Sequence, residues 1–320
     1  MKKETAIYIL LLTQLTMGCS KAEFPESASE KHSISISAEI GSTNQNSLRY
    51  AGEVGQSQFA ENDAIGLFQN DDLIPVKWTY DGSDWKADKT MYWKDKTQIQ
   101  TFKAFYPYAN AENQTAVPMP DLSNQSGKLT DIGKYDFLVA VKEQNLNDGS
   151  TVHFSGQHSF KHVSSLIKLT ILGTQDLSSA TLNSVKLKGE NIVSASSYNF
   201  NNSNKVVFSN TVSEVEVGKA HVMGSANVEF YVIIHAQDYS QNEGVSLEIS
   251  YTNNKKDYVA TLPKFLANSL QGGKQVTATL NIKENEIVIS NNSISPWDTE
   301  GGELGDIIIG GHENEGTPSV

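Results

Sequence analysis

The chain has 320 residues, 25 basic against 37 acidic, a net charge of −12 and a single cysteine. An acidic surface of this size repels phosphate backbones, which argues against nucleic acid as a partner. One cysteine excludes an intramolecular disulfide, so stability has to come from packed cores, and about 300 residues beyond the N-terminal segment are enough for two of them.

Lys2 and Lys3 precede an apolar run at 7–12 that is too short to span a bilayer, and Met17 and Gly18 lead to Cys19. This pattern reads as a secretory signal over 1–18, with Cys19 as the new N-terminus and lipid carrier, which predicts a lipoprotein. The alternative is an ordinary secreted protein in which Cys19 is incidental; Thr16 stands three residues before the cysteine, where lipoprotein signals usually have Leu. Residues 19–32 are polar and contain Pro25, so they read as a flexible tether. Residues 33–40 alternate, which in a strand puts Ile34, Ile36, Ala38 and Ile40 on one buried face. A polar loop over 41–47 leads to Arg49, the only arginine in the chain.

Short β-prone runs follow at 65–68, 76–80, 85, 99–106, 135–141 and 151–154, separated by Asp, Asn, Gly and Pro clusters. The stretch 109–134 has no period and reads as a long surface loop. A second series runs 166–172, 180–187, 198–200, 206–208, 212–217, 228–234, 245–251, 257–262, 275–282 and 286–289. Only 264–270 has helical spacing. Many strands without crossover helices predict an all-β protein of antiparallel sandwiches, one over 33–160 and one over 161–300. The tail 301–320 is Gly-rich and acidic apart from Ile307, Ile308 and Ile309, one apolar strand's worth of sequence.

No constellation carries visible chemistry. His158 and His162 have i, i+4 spacing near His153, but the segment reads as turn and strand, so no metal site is expected. Asp63, Asp71, Asp72, Asp81 and Asp84 fall in polar turns, where Asp serves local hydrogen bonds. There is no phosphate loop and no nucleophile elbow, and neither catalysis nor a cofactor is expected. Trp78, Trp85, Tyr92 and Trp93 form either a sugar-stacking surface or core, with strand alternation favouring core.

Three groups of residues carry a family resemblance. Phe59-Ala60-Glu61-Asn62-Asp63-Ala64-Ile65-Gly66-Leu67-Phe68, then Met91-Tyr92-Trp93 and Phe102 through Tyr108, resemble the N-terminal domain of the fimbrillins, the lipoprotein-exported pilins of type V pili from gut and oral anaerobes. Phe160-Lys161-His162 leading into Leu166 is similar to the start of their second domain, and Gly272-Gly273-Lys274 with Ile294-Ser295-Pro296-Trp297 to its close; Gln275 departs from a position often aromatic. The resemblance implies two transthyretin-like β-sandwiches in tandem. It also implies a precursor cut after an arginine in the loop following the first strand, here Arg49. Loss of the strand bearing Ile34, Ile36, Ala38 and Ile40 would leave an apolar groove for another subunit's donor strand. Ile307 to Ile309 is the donor candidate in the tail. The expected function is therefore a fimbrial subunit for adhesion. Its expected partners are other pilin subunits, outer-membrane lipid through Cys19 in the precursor, and a receptor that the sequence does not identify. The alternative is a monomeric lipid-anchored glycan binder using Trp78, Trp85 or Trp93.

Overall fold

The structure is a computed structural model that describes residues 31–41, 58–202, 205–240 and 243–296. Cys19, Arg49, Trp297 and the triplet at 307–309 lie outside the described residues. The strands within them are β1 (Ser35–Ala38), β2 (Ala64–Gln69), β3 (Val76–Tyr80), β4 (Trp85–Ala87), β5 (Gln100–Tyr106), β6 (Val117–Pro118), β7 (Leu138–Gln144), β8 (Thr151–Phe154) and β9 (Lys161–His162), followed by β10 (Ser165–Ile171), β11 (Thr181–Tyr198), β12 (Val206–Val222), β13 (Val228–Ile234), β14 (Val245–Asn253), β15 (Lys256–Leu266), β16 (Lys274–Lys283) and β17 (Glu286–Pro296). Short 3-10 turns are the only helices among them.

Three sheets result. A six-stranded antiparallel sheet runs β4-β3-β2-β5-β7-β9, β1 pairs with β8 alone, and the remaining strands follow the path β12-β11-β14-β15-β17-β16-β10-β13, with β6 beside β11. That long path folds over on itself, because β15 and β17 meet at a single residue pair, Thr261 with Glu286. The two halves so formed face one another. Alternate residues such as Val245, Leu247, Ile249 and Tyr251 on β14 and Val276, Ala278, Leu280 and Ile282 on β16 enter one shared core.

The sandwich expectation holds, with four differences of detail. The β1–β8 and β10–β16 pairings are parallel, which is sterically open to them because more than a hundred residues separate the strands of each pair. The runs at 180–187 and 198 fuse into β11, and those at 206–208 and 212–217 into β12; register shifts bend this pair. Residues 264–270 form no helix: β15 continues to Leu266, Lys264 sits at φ +54°, and the Leu270 N–H donates to Gln237 O across a loop. The helical spacing of apolar residues there reflects Phe265, Leu266 and Leu270 entering the core from an irregular segment.

The stretch 109–134 is not a surface loop either. Val117 and Met119 pack with Phe68, Phe105 and Phe137 against Tyr198, while Leu122 and Ile132 cover Tyr231 and Ile233 on the outer face of β13. Its residues meet several different surfaces in turn, and for that reason show no single period. Gln114 secures it to the first half, its amide donating to the Asn70 and Asp72 carbonyls (2.7 and 2.8 Å) and accepting from Lys103 Nζ (2.7 Å).

Candidate functional site: the seat of the N-terminal strand

The segment carrying β1 is flanked on both sides at its start, residues 32–34, and along β1 itself pairs with β8 alone among the described residues. Successive N–H groups of an extended chain point to opposite sides, and here Ile34 donates to Met91 O (2.9 Å) while Ser35 donates to Ser150 O (3.4 Å). Trp93 N–H closes the first side on His32 O (3.0 Å). On the second side the ladder sets Ser35 beside Thr151, Ile36 beside Val152, Ser37 beside His153 and Ala38 beside Phe154. Past its end, Glu39 N–H donates to Phe154 O (2.9 Å), Phe160 N–H to Glu39 O (2.9 Å), and Gly41 N–H to Phe160 O (2.8 Å). Gly41 is required by proximity: a Cβ there would lie 1.7 Å from Ser159 Oγ. Among the described residues, β8 has no ladder partner except β1.

The inward face of this strand completes the first core. Ile34 and Ile36 are buried, and Ala38 and Ile40 are half-buried against the same cluster, which includes Ile65, Leu67, Phe102, Phe154 and Phe160. The alternation predicted over 33–40 is thus the alternation observed. Aromatic rings make the floor: Phe59 meets Trp85, Tyr106 and Phe160 edge-on at 5.0 to 5.6 Å, and Trp93 meets Phe102 at 5.3 Å. The outward face is polar, with Ser35 Oγ and Thr151 Oγ1 at 2.8 Å and Ser37 Oγ and His153 Nδ1 at 2.7 Å.

The three tryptophans offered as glycan contacts are core residues. Trp78, Trp85 and Trp93 are 3%, 8% and 7% exposed, so no ring face is free to stack on a sugar, and the burial follows from their inward positions on or beside the strands. Only Tyr92, 43% exposed beneath the Lys31 ammonium, lies outward. The histidines go to separate partners: His153 to Ser37, His158 Nδ1 to Val141 O (3.0 Å), and His162 Nδ1 to the fully buried Asp136 (2.8 Å). The aspartates serve local bonds as well. Asp81 accepts from the N–H groups of Asp84 and Ser83, which hold its carboxyl down at about 2; Asp63 accepts from Ala60 N–H and Tyr106 Oη, and Asp72 pairs with Lys94.

Sequence reading missed the two walls of this seat. Residues 91–93 and 151–154 each carry the right residue types, but neither signals which strand it receives. His235 was also missed. It is buried, bonded through Nε2 to Ser196 Oγ (3.0 Å), and burial pushes its pKa down to about 4.

Fold and seat together define a class: an all-β sandwich protein whose first core is completed by a strand from its N-terminal segment. The chain belongs to the fimbrillin-like family, whose model matches residues 52–297. Membership makes it a subunit of the fimbrial and adhesion type. Its fold is similar to crystal structures of candidate cell adhesion proteins from Bacteroides uniformis (16% identity, TM-score 0.56, covering 83% of this chain and 99% of that one), Bacteroides ovatus (17%, 0.57, 85% and 99%) and Bacteroides fragilis (11%, 0.51, 85% and 99%). At these identities the likeness is one of fold. No curated protein matches the sequence.

Proposed function

We propose that the chain is a fimbrial subunit of the cell surface, exported as a lipoprotein precursor through Cys19 and assembled by strand exchange after cleavage at Arg49. In this reading residues 33–160 and 161–300 are two sandwich units, and the role is structural and adhesive, without catalysis. One observation carries it: the strand that completes the first core is N-terminal, held by β8 along its length and by residues 91–93 at its start, and continuous with the segment holding the only arginine. Polar connecting loops are where proteases cut at least cost to the fold. Fully burying Ile34 and Ile36 is worth about 3 to 6 kcal/mol together, a large share of a typical domain's stability. Losing them leaves an apolar groove whose refilling by another subunit is favourable for the same reason. The tail bearing Ile307, Ile308 and Ile309 is the proposed donor.

The test is to treat purified precursor with an arginine-specific protease and run it unheated on a denaturing gel. A ladder of multimers that is absent from the Arg49→Ala chain is expected. A cut chain that stays monomeric would defeat the assembly reading, and a ladder that survives Arg49→Ala would defeat the cleavage site.

A further inference from the structure

The long sheet path has two ends, and the chain treats them differently. At β13 the side chain of Gln125 takes the place of a strand: Nε2 donates to Ile233 O (2.8 Å), and Oε1 accepts from Ile233 N–H (2.9 Å). Gly127 O then accepts from Tyr231 N–H (2.8 Å). That edge is sealed. At the opposite end, β12 has β11 on one side, and its other side is met among the described residues at Glu216, which bridges Asn124, and at Val217, against whose carbonyl Gly127 packs. From Val206 to Glu214 the outer edge has no neighbouring strand among the described residues.

This stretch lacks the usual guards. Between Lys205 and Glu214 it has neither a charge nor a proline, and Val207 and Phe208 are 46% and 47% exposed. A β-prone, uncharged run on an open edge is a template for another strand. The one guard is local twist at Ser209, which the ladder to β11 skips.

We propose that this edge docks a second copy of the chain, the two β12 strands pairing antiparallel about Asn210. The sequence is complementary to itself in that direction. Phe208 comes opposite Val212, an aromatic against a β-branched residue, and Lys205 at one end approaches the partner's acidic end at Glu214, which also pairs with Lys186 (3.0 Å). A parallel pairing would bring like charges together at both ends. The contact is the same patch on both copies, so it closes at two. The chain's own tail is a poorer occupant: beyond Pro296 it holds Asp298, Glu300, Glu303, Asp306, Glu313 and Glu315 and no lysine or arginine, and it would lie beside Glu214 and Glu216.

The test uses the full chain carrying Cys19→Ser, so that an introduced cysteine is the only one. Residue 210 meets its own copy on the axis, and Asn210→Cys is expected to form a disulfide dimer several-fold faster than Val222→Cys, an exposed control on the same strand. Sedimentation at about 100 µM, a range that populates micromolar interfaces, is expected to show a dimer that Phe208→Lys and Thr211→Lys each abolish without lowering the melting temperature. A monomer at that concentration, cross-linking no faster than the control, or a dimer that disappears only when residues 297–320 are removed would overturn the proposal.

Discussion

The two halves of this molecule complete their cores by opposite means. In the second, the inner core comes from consecutive chain, residues 165–296, with β6 and Gln125 only flanking its sheet, and the path folds over through the Thr261–Glu286 contact. The first closes with a strand brought from outside its own contiguous stretch: β1 precedes the sheet by more than twenty residues and lies parallel to β8, supplying its only ladder among the described residues. A core made from one contiguous stretch is lost only by unfolding. One closed by a terminal strand is lost by removing a segment, with the rest of the chain intact.

The largest effect that would break this contrast is removal of the strand. Deleting residues 31–41 is expected to abolish the near-ultraviolet dichroism of Trp78, Trp85 and Trp93 while leaving the second half folded, and a synthetic peptide of those eleven residues should restore it. If the second half unfolds in the same transition, the halves are one cooperative unit and the contrast fails. Next in size is Trp93→Ala, which removes a buried ring beside β1 and should cost about 3 to 5 kcal/mol in chemical denaturation. A glycan-binding tryptophan would instead give a near-neutral stability change.

In the second half, His235 is expected to make stability depend on pH. Its folded pKa, about 4, lies below the ordinary value of 6.5, so on acidification the unfolded state takes up the proton first. Stability is therefore full above pH 6.5, falls between 6.5 and about 4, and levels off below. The total loss is roughly 3 kcal/mol. Replacing His235 by Phe should remove that fall, so that the variant's melting temperature changes less than the parent's between pH 6.5 and 4; an unchanged slope would mean that the imidazole reaches water. The smallest effect is expected of Gln125→Ala, which unseals β13 and leaves the Ile233 N–H and carbonyl without their partner, at about 1 to 3 kcal/mol. Hydrogen exchange at Ile233 should quicken while that in β14 does not.

How much of this was legible in the sequence varied with how local the cause was. The inward face of 33–40 could be read from alternation alone, because a strand's two faces are set by its own geometry whatever it pairs with. Buried tryptophans followed from the same periodicity. Residues 109–134 show no period because Val117 and Met119 serve one surface and Leu122 and Ile132 another, and the spacing at 264–270 imitates a helix because irregular chain can also drop apolar residues into a core at intervals of three or four.

By itself the sequence determined an all-β fold, the strands and their buried faces, and the order of motifs that marks the family. Only the tertiary structure decided the pairings. It laid β1 along β8 with residues 91–93 against the segment's start, turned Gln125 into a surrogate strand at β13, and left the outer edge of β12 over 206–214 without a neighbouring strand among the described residues. The physical reason is that backbone hydrogen bonds are chemically alike along the chain, so which strand answers which depends on distant segments meeting in space and on loops whose closure no local pattern records.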